Sequence, residues 1–333
     1  MLACWLATER VYSIAMCDND SFDDMVAYRL RRELLSRRGF GSLSLGAGVA
    51  SLLPVGCKSA DPAPTQASTP LGAAAAPSAA DAGNAVATTE SDVTIPTTDG
   101  ACDAYFVHPT NGTAPAILVW PDIFGLRPAF RQMGKRLAQS GYAVLVVNPF
   151  YRKKKAPTSV PHANMEDPAT REELMGLARS LTQETEFTDA KALTGWLDQQ
   201  PSVDKARKIG TTGYCMGGPL VFRTAAAATE RIGAAATFHG GGLVTDKPDS
   251  PHLLIPKMKA QFLIAIAAND DAKQPDAKAT LKAAFAQVSL PAKVEVFEGT
   301  MHGWCPPDSH VYNHDAAERA WAEMLELFKK ALG

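Results

Sequence analysis

Along most of the chain, short uninterrupted apolar runs alternate with longer stretches in which apolar residues recur every three or four positions. Residues 116–120 (AILVW) and 143–147 (AVLVV) are continuous apolar runs of strand length, the pattern of strands buried on both faces. Between them, residues 128–140 carry helical periodicity and stop at Gly141, a natural helix end. Further strands are predicted over 208–212, 234–238, 262–267 and 293–297, and helices over 169–199, 217–229, 276–288 and 313–331. This alternation predicts an α/β fold, a mainly parallel sheet with helices on both faces, filling residues 91–333.

The pattern fails upstream. From Ser59 through Leu126 there is no Lys or Arg, and residues 58–90 are dominated by Ala, Pro, Ser and Thr. Such a stretch buries too little apolar surface to offset its ordering entropy, so a flexible linker is expected there. Residues 1–57 read as an export signal. Ser36-Arg37-Arg38-Gly39-Phe40-Gly41 precedes a charge-free run of mild hydrophobicity, the twin-arginine arrangement. Glycines, serines and Pro54 make that run a poor lipid-facing helix. Leu52-Leu53-Pro54-Val55-Gly56-Cys57 resembles a lipoprotein processing site, with Cys57 as the lipidation candidate. The expected location is periplasmic or exported, either released or anchored to the membrane through Cys57, after a transient encounter with the export machinery.

Composition narrows the function. At 333 residues, 46% hydrophobic and 20% charged, the chain can build one large core. A net charge of −2 gives no footprint for nucleic acid. The cysteines (Cys4, Cys17, Cys57, Cys102, Cys215, Cys305) show no Cys-x-x-Cys spacing, which argues against a structural zinc or a thioredoxin-like motif. Cys102 and Cys305 are candidates for a disulfide in an exported protein. His302, His310 and His314 invite a metal reading, but Pro306 and Pro307 precede the His-x-x-x-His pair, no carboxylate or cysteine partner is obvious, and no metal or cofactor is expected.

The most specific motif is Gly213-Tyr214-Cys215-Met216-Gly217-Gly218, placed between an apolar strand and a helix. This is a nucleophile elbow, in which small flanking residues permit a strained turn that presents one side chain. A thiol there also sits at a helix N-terminus, where the dipole favours thiolate. Two later strand ends carry Asn269-Asp270-Asp271 and Met301-His302-Gly303-Trp304. The order nucleophile, acid, histidine is that of α/β-hydrolases, and it assigns Cys215, Asp270 and His302 as a catalytic triad. Asp271 competes for the acid role; Asp270 lies nearer the strand end. The oxyanion hole needs two backbone N–H donors, expected from Met216 and from Ile123 in the loop after residues 116–120. His239-Gly240-Gly241-Gly242 reads as a glycine-rich turn at the pocket rim.

From about Val93 to the C-terminus the chain resembles the dienelactone hydrolase family. The resemblance rests on Pro121-Asp122-Ile123-Phe124-Gly125, the Gly-Tyr-Cys-x-Gly-Gly elbow, Asp270 and Met301-His302-Gly303. It implies a monomer with an α/β-hydrolase fold that hydrolyses an enol-lactone or related activated ester. It also implies that Asp122 holds and activates the resting thiol, and that Arg171 binds a substrate carboxylate. A second family arginine past the histidine is replaced here by Trp304-Cys305-Pro306-Pro307, which favours a more apolar ester or lactone. Tyr214 and Trp304 are the remaining candidate substrate-binding residues. Two other readings are a thioesterase or general carboxylesterase with the same triad, and a non-catalytic periplasmic binding protein on a hydrolase fold. The intact triad argues against the second.

Overall fold

The computed structural model describes residues 86–333, so the expected export signal, Cys57 and nearly all of the expected linker lie outside the described residues. The described residues begin with a hairpin that the apolar pattern did not announce. Strand β1 (Thr88–Thr97) pairs antiparallel with β2 (Gly100–Pro109) along its whole length. Its outward residues are polar, as suits an edge strand, and Ile95 anchors it in the core. Residues 88–90, assigned to the linker from composition, thus belong to the strand.

Six parallel strands follow: β3 (Ala116–Trp120), β4 (Ala143–Val147), β5 (Ile209–Tyr214), β6 (Ile232–Phe238), β7 (Gln261–Ala267) and β8 (Ala292–Phe297). They stand in the order β1-β2-β4-β3-β5-β6-β7-β8. Every residue of β3, β4 and β5 is buried, which is why their sequences run apolar or small without alternation. The chain leaves β3 towards β4 and later returns to β5 on the other side of β3. That reversal opens a crevice beyond the carboxyl ends of β3 and β5, where α/β sheets place their chemistry.

Helices α1 (Pro128–Gln139) and α7 (His314–Leu332) cover one face. The other is covered by α3 (Gln183–Leu197), α4 (Gly217–Ala227), α6 (Ala277–Gln287) and a 3-10 segment at Pro251–Lys257. The helix expected over 169–199 is broken in two, α2 (Pro168–Ala178) and α3. The Thr182 side chain accepts from Thr185 N–H while the Thr185 hydroxyl accepts from Thr182 N–H, a capping box that starts a new helix. Short α5 (Ala268–Lys273), directly after β7, was also absent from the periodicity. Cys102 and Cys305 are free, buried thiols in the two different core layers, so the sheet separates them and the disulfide left open by the sequence does not form.

Candidate active site

The elbow forms because three glycines let backbone meet backbone. Cys215 has φ +53°, a left-handed conformation that costs any residue with a Cβ. A Cβ on Gly213 would lie 2.2 Å from Gly217 O, and one on Gly217 would lie 2.4 Å from Trp120 O. One on Gly218 would come within 2.7 Å of the Gly240 Cα. The turn is pinned by Cys215 N–H donating to Phe238 O at 3.1 Å and by Gly218 N–H donating to Cys215 O at 3.0 Å. Gly217, next to Met216, thus stands beside the end of β3, whose loop carries Ile123. Neither the Ile123 nor the Met216 N–H is among the loop amides that donate to backbone carbonyls.

His302 sits in a braced loop after β8. Its N–H donates to Asn269 Oδ1 at 2.8 Å, and the Thr300 hydroxyl donates to Phe297 O at 2.7 Å. Its ring Nδ1 lies 2.8 Å from Asp270 Oδ2. Asp271 points elsewhere and pairs with Lys278 Nζ at 2.6 Å. The other ring nitrogen, Nε2, is buried without a hydrogen-bond partner of ordinary geometry, and the nearby Cys215 helps to raise the pKa of the ring. Thiol–imidazole contacts are commonly long or bent in a resting site and tighten when substrate binds. Burial alone would lower the His302 pKa; Asp270, then Cys215, outweigh it and hold the ring well above its ordinary value.

Several expected residues sit elsewhere. Asp122, expected to activate the thiol, has both carboxylate oxygens committed. Oδ1 accepts from Phe124 N–H at 2.9 Å and Arg127 Nη1 at 2.6 Å, and Oδ2 accepts from Arg127 Nη2 at 2.9 Å. Arg171, expected to meet a substrate carboxylate, donates from Nε to Met165 O at 2.9 Å, across its own helix start. Tyr214 and Trp304, expected against substrate, belong to the layer under α1 and α7. Tyr214 stacks on Phe238 and Trp304 on Phe297, while Cys215 faces the other layer. Adjacent residues leave a strand end in opposite directions, so Tyr214 points away from the side that Cys215 serves.

His239 is no rim residue. It is buried, 5.1 Å between ring centroids from both His302 and Trp304, and its own pKa is driven well down by burial and then by His302. A cavity of about 240 Å³ lies between α1 and α7, lined by Met133, Tyr214, Phe238, Cys305 and Trp321 among others; it includes none of the triad. Sequence reasoning missed Arg127, whose only local signal is its place between the Asp122–Gly125 turn and Pro128.

Strand order, elbow after β5, carboxylate after β7 and histidine after β8 together define an α/β-hydrolase. Within that class the chain belongs to the dienelactone hydrolase family, whose model matches residues 102–332. It is similar to a Synechocystis sp. protein provisionally named carboxymethylenebutenolidase, with 26% identity across 72% of this chain and 96% of the relative. Among solved structures it is similar to a provisionally named dienelactone hydrolase of Klebsiella pneumoniae, at 23% identity and TM-score 0.64, covering 73% of this chain and 99% of that one. It is also similar to a dienelactone hydrolase-like promiscuous phosphotriesterase from metagenomic libraries, at 22% identity and TM-score 0.61, covering 74% of this chain and 100% of that one. The protein is a hydrolase acting on esters or lactones.

Proposed function

We propose that this hydrolase cleaves an enol-lactone or activated ester through Cys215, His302 and Asp270, by way of a thioester. The observation that carries the reading is the 2.8 Å contact between His302 Nδ1 and Asp270 Oδ2, on a ring that also interacts with Cys215. In the resting site His302 holds a proton and Cys215 is the thiolate. The thiolate attacks the carbonyl carbon, and the developing oxyanion takes hydrogen bonds from Ile123 and Met216 N–H. The acyl C–O bond then breaks, and His302 gives its proton to the departing oxygen. Neutral His302 next takes a proton from water, whose hydroxide attacks the thioester. The C–S bond breaks, the acid leaves, and thiolate and imidazolium are restored. Asp270 stabilises the charged ring at both stages.

The substrate is apolar. Ile123, Met165, Met216 and Leu243 share the layer that holds Cys215, and the Arg171 guanidinium donates to the Met165 carbonyl. A thioesterase or general carboxylesterase would use the same groups, and substrate profiling separates them. On panels of activated esters, thioesters and enol-lactones, the protein should turn over at least one class, and Cys215→Ala should lower kcat by about 10³-fold or more. Wild-type turnover in Cys215→Ala would discard the mechanism, and no turnover of any class would favour a binding protein on a hydrolase fold. Export is the second part of the proposal, supported by Arg37, Arg38 and the charge-free run behind them. Arg37→Lys with Arg38→Lys should leave the protein in the cytoplasm, and Cys57→Ala should free any membrane-held form.

A further inference from the structure

The loop after β3 and the loop after β8 are joined by one buried cation. Arg127, the residue just before α1, grips Asp122 through Nη1 and Nη2 at 2.6 and 2.9 Å. The same guanidinium grips Asp308 through Nε and Nη2 at 2.7 and 2.9 Å. Asp122 directly precedes the proposed oxyanion residue Ile123, and Asp308 closes the stretch that begins at His302. The Arg127 side chain is 13% exposed and Asp122 9%, so that contact is well shielded from solvent, whereas Asp308 is 45% exposed and its contact meets water. The guanidinium also lies over the Phe124 and Phe130 rings, at 5.4 and 4.9 Å. A third loop, after β4, docks on the same turn: the Thr158 and Ser159 hydroxyls donate to Phe124 O at 3.2 and 3.0 Å.

We propose that Arg127 is a positioning residue that locks the oxyanion turn to the histidine loop and withholds the Asp122 carboxylate from the proton chemistry of Cys215. Both oxygens of Asp122 are held, and a proton arriving there would weaken the Arg127 contact, so the thiol proton goes to His302 instead. A lysine could not do the same, because one ammonium cannot serve two carboxylates in a planar, bidentate manner. The proposal rests on Cys215 being the nucleophile, so its test reads the thiol directly and needs no substrate.

The test is the pH profile of Cys215 alkylation by iodoacetamide, followed by mass spectrometry in the full protein, with buried Cys102 and Cys305 as internal controls. The groups that bear on the thiol are His302 with Asp270 behind it and buried His239 beside His302, to which the proposal adds the Asp122–Arg127–Asp308 chain. Asp122→Asn leaves the Arg127 charge less compensated, so alkylation near pH 6 should be unchanged or faster. An Asp122 that accepted the thiol proton would give the opposite sign, slower alkylation, and that result would overturn the proposal. Arg127→Gln leaves Asp122 unpaired, and the profile should move to higher pH by about one unit. Adding Asp122→Asn to Arg127→Gln should return the profile towards wild type. Asp308→Asn cuts only the tie to the histidine loop; it should lower kcat on an activated ester while leaving the alkylation profile in place. Circular dichroism shows which variants are folded. An unshifted profile in folded Arg127→Gln would also overturn the proposal. Absence of preferential labelling at Cys215 in the wild type would instead strike the nucleophile assignment itself.

Discussion

Two carboxylates stand just beyond strand ends in this site, and their partners give them opposite characters. Asp122, after β3, faces Arg127, a cation that neither folding nor catalysis discharges. Burial works against the Arg127 charge, but Asp122 and Asp308 more than offset it and hold its pKa above the ordinary arginine value. Asp270, after β7, faces His302, whose proton can come and go. A carboxylate against a permanent cation is a structural joint, whereas one against an imidazole can serve proton transfer. Position at a strand end therefore does not assign a role; the partner does.

The sharpest way to break this comparison is to remove each acid by a single isosteric change. Asp270→Asn should lower kcat by about 10²–10⁴-fold, because the ring loses both its orientation and the charge that balances it. Asp271→Asn should cost no more than about threefold, since it severs only a partly exposed pair with Lys278. Equal losses in the two variants, measured on the same activated ester, would remove Asp270 from the triad.

A third acid extends the comparison to stability. Glu186 on α3 is buried against Arg223 of α4, at 2.5 Å. Burial pushes its pKa up to about 7, an increase that Arg223 only partly offsets. The folded state thus holds a proton that the unfolded chain, at about 4.5, has already released. Stability from this group is highest below the unfolded value and falls as pH rises, until the loss is complete above about 7. Between pH 5 and pH 8 the denaturant midpoint of the wild type should drop more steeply than that of Glu186→Gln. Parallel slopes would mean that the Arg223 charge holds Glu186 ionised throughout.

The smallest effect is expected at Arg171. Its guanidinium is bound to the Met165 carbonyl, so Arg171→Ala should change KM for neutral esters by less than about threefold. The same small change is expected for substrates bearing a carboxylate. A tenfold or larger rise in KM confined to anionic substrates would bring Arg171 into the substrate site after all.

Much of this molecule is written in local pattern. Strands β3 and β4 are legible because a strand covered on both faces must be apolar at every position, and the Gly-x-Cys-x-Gly elbow because only glycine tolerates a 2.2 Å approach. The order Cys215, Asp270, His302 follows from the same strand punctuation. Where the chain turns on a side-chain cap, as at Thr182, periodicity ran straight through the break, since a capping box changes hydrogen bonding and leaves the apolar spacing intact. Which side a residue serves was settled only by packing. Tyr214 and Cys215 are neighbours in sequence and lie in different core layers, and so do Cys102 and Cys305. The partner of Asp122 was the least legible of all. Arg127 joins it to Asp308, 181 residues further along, and no local spacing encodes a contact that exists only when the ends of β3 and β8 come together. Sequence dictates conformation over a few residues, where backbone sterics and burial period act. The pairing of charges across the site is decided by long-range packing, which sets which carboxylate loses its water and which cation replaces it.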